Sequence, residues 1–270
     1  MGGRGTAAPG RFALRGLALG YLTVLLVLPL GMVGYRTFEH GVDAAWNAAT
    51  TPDAVHAFWL TLLMVAVSVP LNTIFGVGAA LLIARLDFRG KSIFNALVDL
   101  PFAVSPVVVG LGLILVYGQT GWFGNDLADA GIKVIFNPLG MIVASIFISL
   151  PFVVRETVPV LREIGTEQEE AATTLGARPW QTFWRITLPA IRWGVAYGVV
   201  LTTARVLGEF GAVSVVSGKL VGKTETLPLR VQAAFEDFNL AGAYSASFVL
   251  ALMALVGVLA MQRLKRKEIA

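Results

Sequence analysis

The chain has 270 residues, 56% of them hydrophobic and 14% charged, with a mean hydropathy of +0.74. That excludes an ordinary soluble domain, in which about a quarter of residues are charged, and identifies an integral membrane protein. The net charge of +4 does not signal nucleic acid, because the basic residues lie between apolar runs; with no cysteine and two isolated histidines, His40 and His56, a disulfide framework, a thiol nucleophile and a metal centre are excluded too.

Residues 1–11 are glycine-rich and basic and read as a disordered cytoplasmic tail. The apolar run 12–35 has the basic flank of a signal peptide, but it reaches the ~20 residues needed to cross the hydrocarbon and reads as an uncleaved helix. With an outer loop it forms a unit 12–55, ahead of a unit 56–262 and a short tail 263–270. Within the second unit the predicted spans are 57–84, 93–117, 138–154, 189–214 and 243–262. The fold class is therefore all-α, polytopic, with six transmembrane helices.

The basic residues orient it. Fifteen of the 21 lysines and arginines fall at the two termini and in the segments 85–91 and 155–192; five fall on the opposite side, and Arg205 lies within a span. By the positive-inside rule both termini and the segment after the fourth span face the cytoplasm. Among the outer segments, 36–56 carries Glu39, Asp43 and Asp53, and 217–240 includes a candidate interfacial helix at about 227–238.

Between the fourth and fifth spans lies a polar, helical stretch, 166–188. Thr166 and Glu169 have the T-x-x-E spacing of a capping box, so a helix should begin near Glu167. Gly176 is a natural stop after Leu175, Pro179 suits the first turn of a second short helix, and Pro189 is expected to break the chain again. Ala171, Ala172 and Leu175 share one face, small enough for another protein to approach closely. The alternative is an amphipathic segment lying on lipid headgroups.

Several residues interrupt the spans. Pro70 in the second, and Pro101 and Pro106 in the third, remove backbone donors and are expected to bend their helices; Asp99 and Ser105 lie beside them. Asp99 is read as a hydrated residue near the helix end. In the fifth span Arg205 and Glu209 stand at i, i+4 spacing and are able to pair, with Gly208 and Gly211 flanking the acid. An ionisable pair at that depth faces a bundle interior or a water path, so Arg205, Glu209 and Ser105 are the pathway candidates for an anion; the competing role for the pair is to lock the span to its neighbours. Gly194-x-x-x-Gly198 is a candidate for close helix packing. Residues 217–224, SGKLVGKT, approach a phosphate-binding loop, but no strand precedes them and they lie outside, so no ATP site is assigned.

The spacing Glu170-Ala171-Ala172, Gly176, Ile186-x-Leu188-Pro189 resembles the EAA loop of ABC importer permeases. From about residue 12 to 263 the chain resembles the CysW-type subunits of sulfate/thiosulfate importers, carried by 100–111 LPFAVSPVVVGL, 149–177, 180–194 and 201–218 LTTARVLGEFGAVSVVSG. The last string is also similar to molybdate permeases. The resemblance implies a type I ABC importer (MetI-like) permease fold with a cytoplasmic coupling helix. Glu170, Ala171, Ala172, Leu175, Gly176, Ile186, Leu188 and Pro189 would then contact the ATPase. It also implies two ATPase copies using ATP and Mg, a second permease, a periplasmic or lipid-anchored sulfate-binding protein, and a bacterial inner membrane. This chain itself would bind no cofactor. Alternatives are a molybdate or tungstate permease, and an ATP-independent channel, secondary carrier or membrane scaffold, which would leave the EAA spacing unexplained.

Overall fold

The structure, a computed structural model, describes the backbone of residues 7–269 and the side chains of 14–259. The described residues form helices and no strands. Helix α1 comprises Ala7–Leu22, a π turn at Thr23–Val27, and Leu28–Phe38. There follow α2 (Val42–Ala49), α3 (Pro52–Arg85), α4 (Lys91–Ala103), α5 (Pro106–Tyr117), α6 (Gly124–Asp129) and α7 (Pro138–Glu163). A polar loop helix, α8 (Glu167–Thr174), leads to α9, which is Pro179–Thr182, a π turn at Phe183–Thr187, and Leu188–Leu207. The chain closes with α10 (Gly211–Val216), α11 (Leu227–Glu236) and α12 (Leu240–Ile269).

Five helices are long and apolar enough to cross a membrane singly: Leu14–Phe38, Pro52–Arg85, Pro138–Glu163, Pro179–Leu207 and Leu240–Leu259. The third span is the bent pair α4 and α5, whose axes turn by 111° at the break between them. At 34 residues, α3 is ~51 Å long, well beyond the ~30 Å of hydrocarbon, and its Arg85 end lies beside α8.

Several expected boundaries shift. The first helix begins at Ala7, inside the segment read as a tail; residues 1–6 lie outside the described residues. Pro70 does not break its span: α3 is continuous from Pro52 to Arg85, because the helices packed along it hold the backbone in line. Pro101 likewise sits inside α4, and the break falls two residues later, before Pro106. Proline forces the residue ahead of it out of the helical region, and Ser105 has ψ 134. Helix α7 runs to Glu163, past the expected 154, and α12 continues through the segment read as a closing tail.

The fifth span differs most. Its helix starts at Pro179 and passes through Pro189 without a break. The π turn explains this: Leu188 N–H bonds to Phe183 O, five residues back, so the helix shifts register just where Pro189 cannot donate. The same arrangement precedes Leu28-Pro29 in α1, where Leu28 N–H bonds to Thr23 O. The helix then ends at Leu207, short of the expected 214.

The bundle is organised on α7, packed against α3 on one side and α9 on the other. One apolar cluster joins Val77, Ala80, Ile83, Val153, Val154, Leu161 and Ile191; a second joins Leu60, Met64, Met141, Ile148, Val206 and Val213. Glycines allow the close approach. A Cβ at Gly198 would lie 2.7 Å from Val153 Cα, and one at Gly76 would lie 2.6 Å from Val153 Cβ, so Val153 is sandwiched between α3 and α9.

Candidate functional site

Two groups of residues carry chemistry: the polar loop at one end of the bundle, and the breaks within it. In the loop, α7 ends at Glu163 with Ile164 as its cap, and Gly165 turns the chain at φ +66 into α8. The expected capping box does not form. The Thr166 hydroxyl donates to Glu170 Oε1 at 2.6 Å and caps no backbone amide, because the Glu169 carboxylate is drawn elsewhere. Glu169 Oε1 accepts from Arg85 Nη2 at 3.2 Å and from the Thr187 hydroxyl at 2.9 Å, and Glu169 Oε2 is 3.0 Å from Arg85 Nε.

The far end of α8 is closed by Gly176, at φ +84. Its N–H bonds to Thr173 O at 2.9 Å while Ala177 N–H bonds to Ala172 O at 3.0 Å, the paired bonds of a Schellman stop. Arg178 N–H then donates to the Gln181 side chain at 2.9 Å, opening α9.

No residue of α8 is buried. Glu170 and Ala171 are exposed and Ala172 is half-buried, while Leu175 has 89% of its surface free and Trp180 69%. Trp180 and Trp184 stack edge to face at 5.3 Å, so the loop presents an apolar ridge beside a carboxylate. Ile186 and Leu188 are half-buried against the bundle, and Pro189 is exposed.

In the bundle, the two breaks abut. Pro106 opens α5 and Gly211 opens α10; a Cβ at Gly211 would lie 2.7 Å from Pro106 Cβ, and one at Gly110 would lie 2.9 Å from Ala212 O. Ser105 is exposed at the first break. At the second, Gly208 ends α9, so Arg205 and Glu209 do not share a continuous helix as expected. They still pair, Arg205 Nη1 to Glu209 Oε2 at 2.7 Å, because Glu209 folds back: its other oxygen accepts from Ala212 N–H at 3.0 Å, at the start of α10. The Glu209 side chain is 1% exposed and that of Arg205 30%, so the acid is enclosed and the guanidinium opens to the surface.

Sequence reading missed two pairings. Asp99 is not simply hydrated: Arg155 Nε donates to its Oδ1 at 2.6 Å, and Arg155 Nη2 contacts Oδ2, tying α4 to α7. Arg85 was assigned to topology alone, since its partners lie more than 70 residues away. The 217–224 segment closes on itself, Thr224 donating to Ser217 O at 2.6 Å, and the helix α10 precedes it where a phosphate loop needs a strand.

Comparison with known proteins places this geometry. Residues 72–268 match the family described as binding-protein-dependent transport system inner membrane component. The sulfate transport system permease protein CysW of Synechocystis is 49% identical over 95% of this chain and 93% of its own length. CysW of Synechococcus elongatus is 51% identical over 90% and 85%, and the CysT permease of the same organism is 39% identical over 87% and 85%. Among solved structures, a chain of a bacterial ABC transporter that imports the acidic polysaccharide alginate superposes with a TM-score of 0.78 at 21% identity, over 95% of this chain and 94% of that one. The chain therefore belongs to the binding-protein-dependent inner membrane components, the type I permeases of ABC importers.

Proposed function

We propose that this chain is the CysW-type permease subunit of an ATP-driven importer that carries sulfate or thiosulfate into the cytoplasm. The observation that carries this reading is the near-full-length match, at about half identity, to permeases named for sulfate transport. Its partners are a CysT-like second permease, two ATPase subunits that bind ATP and Mg, and a periplasmic or lipid-anchored sulfate-binding protein. The chain resides in the bacterial inner membrane with both termini in the cytoplasm, residues 56–262 forming the transporting unit.

In this reading the ridge of Leu175, Gly176 and the Glu170-Ala171-Ala172 face seats in the ATPase, while Ile186, Leu188 and Pro189 join that dock to the bundle. ATP-driven closure of the ATPases shifts the balance between two packings of the spans. A dianion cannot enter hydrocarbon without very large desolvation cost, so the path must offer charge and open backbone. Arg205, Ser105 and the broken turns beside Glu209 supply these where α5 meets α10.

Reconstitution with the candidate ATPases and binding protein tests the assignment. ATP-dependent uptake of radiolabelled sulfate, insensitive to a modest excess of molybdate, is the expected result. Uptake that prefers molybdate would reassign the substrate, and uptake that proceeds without any ATPase would refute the class.

A further inference from the structure

We propose that Arg85 and Glu169 are positioning residues that make α8 move as one piece with three spans, so that force applied to the loop reaches the bundle instead of being lost in it. The inference rests on the reading of α8 as the ATPase dock and goes beyond it, naming what stiffens the dock.

The need follows from the local chain. An eight-residue helix is marginal by itself, and α8 buries no residue. It is joined to α7 through Gly165 at φ +66 and to α9 through Gly176 at φ +84, two positions with little side-chain restraint. Pushed at its exposed face, such a helix would pivot on its glycines.

The Arg85 fork prevents this. Nη1 donates to Leu161 O at 2.8 Å and Nη2 to Gly165 O at 2.6 Å, capping the end of α7, while Nη2 also donates to Glu169 Oε1 at 3.2 Å and Nε lies 3.0 Å from Oε2 as an ion pair, without a hydrogen bond of its own. Glu169 in turn accepts the Thr187 hydroxyl at 2.9 Å, within the π turn of α9. One carboxylate thus ties α8 to the last turn of α3, to the end of α7 and to the start of α9. Side-chain exposures of 14% for Arg85 and 21% for Glu169 shelter the pair from water, and the guanidinium sits where helix C-termini favour a cation. Lysine cannot reproduce the fork. The neighbouring Glu170 is exposed and its carboxylate accepts from the exposed Thr166 hydroxyl at 2.6 Å, so adjacent acids divide the work. Glu169 faces the bundle, and Glu170 faces the partner.

The test uses the full complex in proteoliposomes with its sulfate-binding protein, measuring ATPase retention, ATP hydrolysis and sulfate imported per ATP. Glu169→Gln is expected to retain the ATPases and hydrolyse ATP while sulfate per ATP falls about tenfold, as loss of one charge-assisted bond predicts. Arg85→Lys should fall less. A wild-type ratio in Glu169→Gln overturns the proposal, and so does a loss of uptake that merely follows loss of ATPase retention, which would make the pair a folding contact. If the Glu169→Gln permease is not recovered folded from the membrane, Arg85→Lys decides by the same ratio, wild-type coupling overturning the idea. Leu175→Asp separates the underlying reading: if it keeps both ATPase and uptake, α8 is not the dock, whatever Glu169→Gln does.

Discussion

Glu209→Ala is the substitution whose cost can be worked most directly from the structure. It leaves Arg205 without its counter-ion, and it leaves the Ala212 N–H, now bonded at 3.0 Å, without an acceptor at the head of α10. Removing one partner of a buried pair costs about 3–5 kcal/mol; because 30% of the Arg205 side chain reaches the surface, water takes up part of that charge and the figure falls to about 2–3 kcal/mol. The lost backbone bond adds about 1 kcal/mol. At about 2–4 °C per kcal/mol for a chain of this class, the melting temperature should drop by about 10 °C. The assay is thermal unfolding in detergent, followed by the fluorescence of the six tryptophans. Glu209→Gln keeps an acceptor for Ala212 and should lose about half as much. The double replacement of Arg205 and Glu209 by methionine should recover most of the pair cost, since no charge is then stranded. A Glu209→Ala protein melting within about 2 °C of the parent would refute this account, as would a double variant no better than the sum of the singles.

Three further outcomes follow from the same geometry. Gly76→Ala should destabilise by about 1–3 kcal/mol, because its Cβ meets Val153 at 2.6 Å, whereas Gly78→Ala, with nothing within 4 Å, should not; paired melting curves decide. Gly176→Ala places a side chain at φ +84, costing about 1–2 kcal/mol at the end of α8, and should weaken ATPase co-purification while the melting of the spans is unchanged. Arg205→Gln strands the buried Glu209 and should lower the melting temperature too; measured where the variant is fully folded and at equal ATPase binding, sulfate uptake should fall about tenfold if Arg205 meets the anion, and full uptake would remove Arg205 from the path.

The number and class of the spans were legible because apolar runs of membrane length have few other fates, and the loop because its glycines and prolines punctuate a polar helix. Gly176 turns the chain where its sequence position suggests, with the left-handed φ that such a stop requires. What escaped was tertiary. The T-x-x-E spacing at Thr166 is a local signal, and it lost to Arg85, which reaches Glu169 from 84 residues away. Asp99 and Arg155 are 56 residues apart and look ordinary in their own segments. The Arg205–Glu209 pairing was visible in the spacing, but not that the helix stops between them, because the acid's second bond runs forward to α10.

Prolines show why the breaks fall where they do. Pro70, Pro151 and Pro159 lie inside continuous helices, and Pro29 and Pro189 follow π turns that absorb the missing donor. Pro106 alone among these coincides with a full break, and it faces a second break, at Gly208–Phe210, across the contact with Gly211. A single broken span would expose backbone to lipid; two broken spans that meet can shield one another. The short helices α5 and α10 pack on each other and, through Val109 and Val213, also lie against the through-running α3, α7 and α9, so the two parts share one core. Glu209 joins the two parts, gripping Arg205 on α9 with one oxygen and the head of α10 with the other. On the proposed reading, displacement of α9, whose first turns carry Thr187, would be delivered to α10 and on to the Ser105 turn through packed contacts. On that logic Glu209→Ala should lower sulfate imported per ATP even at a temperature where the folded fraction is complete. If coupling stays intact while stability falls, Glu209 only anchors α10, and the breaks move independently of the dock.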